Sequence, residues 1–198
     1  MDTKEKIIST SIELFNKEGV TNVTSRHIAK ALSISNGNFC YHYPNKESLL
    51  IAIHEKMVEE ISPYYAGILE SQENAMVLFD RLIQFLDLFN QRYSFFGLDV
   101  LEISRNYAGI ATRLKSTAKK RQDQIEAFFM QFQEEGFMVE GTYTTLKQVV
   151  YSLAVNWQFN QTVFGVHEEL TMKRCIWRVI KPYLTVAGLT YYKENIKS

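Results

Sequence analysis

The chain has 198 residues, and its 22 Lys and Arg side chains balance 22 Asp and Glu side chains, so the formal net charge is zero. Hydrophobic residues make up 46% and aromatic residues 13%, which excludes a disordered chain and predicts a globular protein with a sizeable core. A nucleic-acid binder is not visible in this net charge, so any basic surface must be local.

The cysteines and the apolar runs bear on the cellular compartment. Cys40 and Cys175 show neither disulfide pairing logic nor metal-ligand spacing, which favours a reducing, intracellular setting. The first residues contain no apolar signal-peptide segment, and no run approaches the ~18 apolar residues that a membrane-spanning helix needs. We therefore expect a cytoplasmic protein with no membrane partner.

Helical spacing of apolar residues, without strand alternation, predicts an all-α protein. The predicted N-terminal helices are, in order, Thr3–Lys17, Ser25–Leu32 and Asn36–His42. Asp2 and Glu5 have the spacing of a capping box, and Gly19 is a favourable stop for the first helix. Thr24 is the expected N-cap of the second helix, which is joined to the third by a tight turn at residues 33–35.

The rest of the chain predicts larger helices. A fourth helix begins near Lys46, and we expect Pro63 to end or kink it. The later helices are predicted, in order, at Asn74–Arg92, Leu98–Tyr107, Thr112–Glu135, Thr144–Val163 and Glu168–Leu189. We expect a kink at Pro182 in the last of them.

Residues 24–46 contain no Asp or Glu, whereas Arg26 and Lys46 are among their cations. Two short helices joined by a tight turn, with no acidic residue to repel phosphates, are typical of a helix-turn-helix DNA-binding module. Four small or polar residues at the start of the third helix are expected to meet base edges in the major groove: Ser35, Asn36, Gly37 and Asn38. Tyr41 and His42 are placed to reach phosphate oxygens, and Lys46 lies at a helix N-terminus that favours an anion.

Three consecutive segments form one specific pattern: Phe15-Asn-Lys-Glu-Gly19, Thr24-Ser-Arg-His-Ile-Ala-Lys-Ala-Leu-Ser-Ile-Ser35 and Asn36-Gly-Asn-Phe-Cys-Tyr-His-Tyr-Pro-Asn-Lys-Glu-Ser-Leu49. The pattern resembles the N-terminal domain of tetracycline-repressor-type (TetR/AcrR) regulators over roughly residues 4–53. The resemblance implies base-proximal positions at Arg26, Asn36 and Gly37. It implies phosphate-proximal positions at Asn38, Cys40, His42 and Lys46.

The chain departs from that family pattern at three positions. Cys40 stands where a phosphate-binding tyrosine is common, and a thiol is a poor hydrogen-bond donor. Either Tyr41 or Asn38 takes over its contact, or DNA binding is weaker. Asn38 stands where the family has threonine. Ser33 replaces the glycine of the turn, so the turn either avoids a positive φ or holds a mildly strained one.

We divide the chain into a helix-turn-helix DNA-binding domain, residues 1–47, and a helical effector-binding and dimerisation domain, residues 48–198. The resemblance implies the role of the second domain. Three aromatic residues are predicted to line an effector pocket: Tyr107, Phe128 and Trp157. Three amides are candidates for a polar contact with the effector: Asn156, Gln158 and Gln161. A plain helical core is the competing interpretation of these aromatic residues.

The last two long helices are apolar enough to form a four-helix seam across a two-fold axis, and we favour this interpretation over an intrachain core. The residues of the predicted seam are Val149, Val150, Leu153, Ile176, Val179, Ile180, Leu184, Ala187 and Leu189. A basic run without acids comprises Arg105, Arg113, Lys115, Lys119, Lys120 and Arg121. It could face DNA, attract an anionic effector or meet the acidic surface of the fourth helix, but a solvated helix face is the favoured interpretation.

These patterns predict a ligand-responsive transcriptional regulator that acts as a homodimeric repressor. Double-stranded operator DNA, a second copy of the chain and a small apolar or amphipathic effector are its expected partners. A helical ligand-binding or adaptor protein with weakened DNA binding is the alternative. We expect no enzyme and no cofactor or metal, because the four histidines lack metal spacing and no phosphate loop or nucleophile elbow is present.

Overall fold

The computed structural model describes residues 2–165 and 170–196, without the side chains of residues 67–70, and this part of the chain is helical with no strand. The helices are α1 Thr3–Glu18, α2 Ser25–Ala31, α3 Asn36–His42, α4 Lys46–Glu70, α5 Ala75–Arg92, α6 Ser94–Asn106, α7 Ala108–Glu134, α8 Thr144–Val155, α9 Trp157–Phe159, α10 Met172–Ile180 and α11 Val186–Asn195. The all-α prediction is therefore confirmed. Within the described ranges, none of these helices combines the length and apolar character that crossing a bilayer requires.

The predicted ends of the first two helices are confirmed by their hydrogen bonds. Asp2 Oδ1 accepts from the Glu5 backbone N–H at 2.8 Å, and Glu5 Oε2 accepts from the Asp2 backbone N–H at 3.2 Å. Gly19 ends α1 with a φ of +80°, which favours glycine. Thr24 Oγ1 accepts from the His27 backbone N–H at 3.3 Å and so caps α2.

The longer helices depart from the predicted boundaries at two places. Of the two outcomes expected at Pro63, an end of the helix is excluded, since α4 continues to Glu70. The proline lacks an N–H and so removes one backbone hydrogen bond, but the burial of Ile61 and Tyr65 on either side keeps the helix continuous. The predicted helix 144–163 ends as α8 at Val155, and α9 and a π-helical turn follow it. The predicted start of the last helix, at residue 168, lies outside the described residues.

The chain also breaks, rather than kinks, at Pro182. This proline lies in a 3₁₀ turn, Lys181–Tyr183, after which Thr185 caps a separate helix by accepting from the Gly188 backbone N–H at 3.1 Å. A proline followed closely by a good N-cap therefore separates α10 from α11.

Contacts between Cα atoms divide the chain into two units, the first of which is Met1–Ile61 with Arg92–Ser116. It contains α1, α2, α3, most of α4, α6 and the start of α7. Its core includes Phe15 and Phe95, whose ring centroids lie 5.3 Å apart. In this unit α6 and the start of α7 pack with the N-terminal helices, whereas the predicted functional boundary between residues 47 and 48 stays a prediction.

The second unit is Ser62–Gln91 with Thr117–Ser198. Phe79 lies at the centre of its core, within 5.1–6.1 Å, between ring centroids, of Phe128, Phe129, Phe132 and Trp177. The carboxylate of Asp80 is buried and accepts from Trp177 Nε1 at 2.9 Å and from Lys173 Nζ at 3.0 Å. This buried ion pair fixes α10 against α5.

Candidate nucleic-acid interface

The short helix α3 is anchored by one face and exposed on the other. Phe39 and Tyr43 are buried, at 1% and 3% exposure, with ring centroids 6.3 Å apart. Burial also raises the pKa of Tyr43 to about 12, so its hydroxyl stays neutral at physiological pH. Ser35 caps the helix because its Oγ accepts from the Asn38 backbone N–H at 3.1 Å.

The exposed face of α3 carries the residues predicted to read base edges. Ser35, Asn36, Gly37 and Asn38 are all exposed. A Cβ built on Gly37 would meet only Ser35 Oγ, at 3.8 Å, so packing within the chain does not demand a glycine there. The helix start therefore presents small polar groups that a flat partner can approach closely.

The residues predicted to lie near DNA phosphates and bases differ in how exposed their side chains are. Tyr41 is 84% exposed and Arg26 is exposed, whereas His42 is half-buried, with its ring centroid 5.2 Å from that of Tyr41. Cys40 is half-buried and accepts a weak hydrogen bond from Asn36 Nδ2 at 3.7 Å. Tyr41 thus gives α3 an exposed hydroxyl.

Lys46, the predicted cation at the N-terminus of α4, already has a hydrogen-bond partner within the chain. Its Nζ donates to the Val20 carbonyl and lies 6.0 Å from the centroid of the Phe15 ring. Burial lowers the pKa of this amine. Its neighbour Glu47 is turned to α7, where Oε1 accepts from the Gly109 backbone N–H at 2.7 Å. The carboxylate next to the acid-free segment is therefore tied to another helix.

The turn between α2 and α3 is a Schellman motif. The Ile34 N–H donates to the Ala29 carbonyl at 3.0 Å and the Ser33 N–H donates to the Lys30 carbonyl at 3.1 Å. Ser33 has a φ of +56°, in the left-handed region that favours glycine. Of the two alternatives for this turn, the strained one is therefore correct.

The predicted pocket residues are divided between the two units. Tyr107 is half-buried and belongs to the first unit, whereas Phe128 and Trp157 are buried in the second. Phe128 packs against Phe79 and so belongs to the aromatic core. A cleft of about 510 Å³ in the first unit involves none of these three, and is lined by Glu5, Ile8, Ser9, Ile12, Glu13, Asn16, Lys56, Arg92 and Tyr93.

The amides named for a polar contact differ in burial. Asn156 and Gln161 are exposed, and Asn156 Nδ2 donates to the Ser152 carbonyl at 3.0 Å. Gln158 is half-buried, and its Oε1 is shielded from solvent without a hydrogen-bond partner among the described residues. Buried acceptors are rarely left in this state, so Gln158 is the amide that best fits a ligand contact.

The interpretation of the basic run as a solvated face was wrong for Arg121, which is only 4% exposed. Its guanidinium lies 4.5 Å from the centroid of the Tyr65 ring and donates to Ser62 and Gln124. The sequence signal was present, because residues 121, 125, 128 and 132 follow one helical stripe. Elsewhere in the run, Arg113 Nη1 pairs with Glu55 at 2.9 Å and Lys119 with Asp123 at 3.0 Å.

The predicted dimer seam also needs correction. Four of its residues are buried inside the protomer and cannot face a partner: Val150, Ile176, Ile180 and Leu184. Val149 and Ala187 are exposed, and Leu153, Val179 and Leu189 are half-buried. No group of three or more His, Cys, Asp or Glu side chains suited to a metal ion occurs among the described residues.

Comparisons with known proteins bear on the whole chain. The family model of bacterial regulatory proteins of the tetR family matches residues 7–53, and that of a bacterial transcriptional repressor family, TetR, matches residues 56–192. The biofilm-operon negative transcriptional regulator IcaR of Staphylococcus epidermidis is 28% identical over 123 residues, or 62% of this chain. The matched part spans 59% of the length of that relative.

Solved structures share the fold. A TetR-family transcriptional regulator from Marinobacter aquaeolei VT8 has a TM-score of 0.82 at 22% identity, over 98% of both chains. A transcriptional regulator from Saccharomonospora viridis in complex with choline has a TM-score of 0.74 at 17% identity, over 97% of this chain and 96% of that one. At these identities the likeness concerns the fold alone.

Proposed function

Because the chain belongs to the tetR family of bacterial regulatory proteins, we propose that it is a homodimeric repressor that binds a palindromic operator in the cytoplasm and is released by a small apolar or amphipathic effector. The observation that carries the proposal is the exposed polar start of α3, held in place by buried Phe39 and Tyr43. A rigid short helix with free polar side chains is the element that enters a major groove about 12 Å wide.

In this proposal Arg26, Asn36 and Gly37 lie at base edges. The Asn36 amide can donate and accept at once, which suits the paired groups of adenine, and Gly37 lets the backbone approach. Tyr41 donates to a phosphate in place of the tyrosine that Cys40 replaces. Ser35, Asn38 and His42 add short polar contacts around it.

Lys46 contributes mainly by position. Its amine holds the start of α4 to the Val20 carbonyl, and reaching a phosphate would require it to exchange that partner. The amide groups at the N-terminus of α4 then provide the local attraction for the phosphate.

A pair of modules is needed because one short helix binds DNA weakly. Two copies of α3 about 34 Å apart meet successive major grooves on one face of the duplex. The exposed apolar side chains of α8, among them Val149 and Val155, supply a surface for the second copy. The effector then acts by favouring a state in which this spacing is lost.

The test measures the affinity of the purified protein for the intergenic duplex upstream of its own gene. Fluorescence anisotropy monitors the binding at a series of salt concentrations. Removing the phosphate-directed hydroxyl with Tyr41→Phe should weaken binding roughly two- to tenfold, equally for related sequences. Tyr64→Phe is the matched control, because Tyr64 is also exposed but stacks on Phe85 in the other unit. Asn36→Ala should instead reduce discrimination between sequences by about 1–3 kcal/mol.

Two outcomes would contradict the proposal. The absence of salt-sensitive binding to any duplex would favour the alternative, a helical ligand-binding or adaptor protein with weakened DNA binding. Equal losses from Tyr41→Phe and Tyr64→Phe would show that α3 is not the surface that meets phosphates.

A further inference from the structure

The first acidic residue after the acid-free segment 24–46 is Glu47, and it lies in the first turn of α4. Its neighbour Lys46 begins the helix, where the amide groups of α4 are proposed to attract a phosphate. A carboxylate in the same turn lies within the field of that phosphate, because charges interact over about 8 Å at physiological ionic strength. The position of the Glu47 carboxylate therefore affects how strongly this end of α4 attracts DNA.

The structure ties this carboxylate to the start of α7. Glu47 Oε1 accepts a hydrogen bond from the Gly109 backbone N–H at 2.7 Å. Gly109 is the second residue of α7, which begins at Ala108. The N–H groups in the first turn of a helix have no acceptor within the helix, and together they attract negative charge. The carboxylate is thereby stabilised at the positive end of α7, although Glu47 itself belongs to α4.

Gly109 permits this close approach because it has no Cβ. A Cβ built there would meet Glu47 Oε1 at 2.9 Å, which is closer than real Cβ atoms approach, whereas Ile51 Cδ1 would lie at an ordinary 3.6 Å. The backbone of Gly109 is helical, a conformation that alanine adopts more readily than glycine. Neither the backbone nor the apolar neighbour therefore requires glycine at this position, but the bound carboxylate does.

We propose that Glu47 and Gly109 are positioning residues for DNA binding: the first turn of α7 binds the Glu47 carboxylate and so keeps its charge from repelling the phosphate beside α4. The inference rests on the proposed function, because it concerns the surface that is proposed to meet DNA. Neither residue contacts DNA in it. When the hydrogen bond is broken, the carboxylate is free to approach the phosphate and weakens the attraction.

A second ion pair between the same two helices separates this effect from simple attachment. Arg113, one turn after Gly109, has its Nη1 2.9 Å from Glu55 Oε1, and both side chains are about half exposed. Glu55 comes eight residues after Glu47, which is about 12 Å along α4. At that distance salt screens its charge from a phosphate at the N-terminus of the helix. Breaking this pair loosens the same two helices without placing a carboxylate beside the DNA.

The test measures the affinity of full-length variants for the upstream intergenic duplex by fluorescence anisotropy. Gly109→Ala displaces the carboxylate, since the crowded Oε1 is the end of a flexible side chain. Glu47→Asp keeps the charge, but its side chain is too short to reach the Gly109 N–H. We expect each variant to bind about three- to tenfold more weakly at low salt, with a smaller loss as salt is raised. Glu47→Gln keeps an oxygen for the hydrogen bond and removes the charge, so it should bind at least as tightly as the parent protein.

The variant that distinguishes charge from structure combines Gly109→Ala with Glu47→Gln. Because no carboxylate remains to be displaced, it should bind as tightly as Glu47→Gln alone, whereas a merely structural contact would leave it as weak as Gly109→Ala. Arg113→Gln is the matched control and should change the affinity less than about twofold. Hydrogen exchange at the Gly109 amide should be faster in Glu47→Asp than in the parent protein.

Three results would overturn the inference: unchanged affinity in Gly109→Ala and Glu47→Asp, a double variant no tighter than Gly109→Ala, or an equal loss in Arg113→Gln. If Gly109→Ala does not fold, equal affinities of Glu47→Asp and Glu47→Gln overturn it. If the parent protein shows no salt-sensitive binding to any duplex, the proposed function fails and the inference fails with it. Salt-sensitive binding by the parent protein with no difference among the variants contradicts the inference alone.

Discussion

Ser33 is the residue at which the DNA-reading module stores strain. It occupies the position after the C-cap of α2, where the Schellman motif requires a left-handed backbone, and its φ is +56°. A side chain at such a φ costs energy that glycine avoids. The serine is exposed, so burial of its side chain does not offset that cost.

We expect Ser33→Gly to raise the free energy of unfolding by about 1 kcal/mol, because glycine adopts this backbone without a Cβ clash. Ser33→Ala keeps the clash and should remain within about 0.5 kcal/mol of the parent protein. Urea denaturation followed by circular dichroism measures both. Equal stabilities of the glycine and alanine variants would show that the turn is not strained.

Single residues also show which parts of the candidate site could be predicted from the sequence. The exposed polar residues of α3 were predictable because amphipathic spacing and capping are local properties. The burial of Arg121 and the inward amine of Lys46 depend on partners far along the chain, Tyr65 and Val20. Because cations usually lie at the protein surface, the residue type predicted exposure of Arg121, although the helical stripe indicated burial.

Among the elements, α6 holds the end of α1 and the loop that follows it. Asn16 Oδ1 accepts from the Phe95 backbone N–H at 3.1 Å, and Asn16 Nδ2 donates to the Arg92 carbonyl at 2.8 Å. Further along α6, Asp99 Oδ2 accepts from the Val20 backbone N–H at 2.7 Å. The loop that follows α1 is therefore held by a carboxylate of α6.

We expect Asp99→Ala to lower the free energy of unfolding by about 1–3 kcal/mol, because it leaves the N–H of buried Val20 without its acceptor. Glu102→Ala is the control: Glu102 lies one turn further on and accepts from exposed Thr21 at 3.2 Å, so its loss should cost only about 0.5 kcal/mol. Hydrogen exchange should show faster exchange of the Val20 amide in Asp99→Ala alone. Similar behaviour of both variants would mean that the carboxylate does not hold the loop.

The two prolines within predicted helices show why element boundaries were less predictable than element types. Pro63 lies between buried Ile61 and Tyr65, and burial keeps α4 continuous through it. Pro182 lies in a turn whose next segment offers Thr185 as a cap, so the chain starts a new helix. The proline itself gives the same local signal in both cases, so the burial of its neighbours or the cap that follows it decides the outcome.

For the whole molecule, the surface proposed for dimerisation is limited to what the protomer leaves exposed. The seam residues that pack inward, such as Ile176 and Ile180, could not be separated from the others by sequence, because core and interface have the same apolar character. Val149 is different, since it lies on α8 and is 40% exposed. Like Ala187, it is a seam position that a substitution can change without disturbing the core.

In the proposed dimer, Val149→Glu should therefore weaken self-association at least about a hundredfold, because it places a carboxylate of each copy in the desolvated seam. Sedimentation velocity over a range of concentrations measures the change. Leu88→Glu is the control, because Leu88 is an exposed apolar residue of α5, at 68% exposure, outside the seam. If dimers are required for operator binding, Val149→Glu should lose affinity for the full palindrome while keeping the weak affinity for a half-site. A dimer that tolerates Val149→Glu as well as Leu88→Glu would move the interface away from α8.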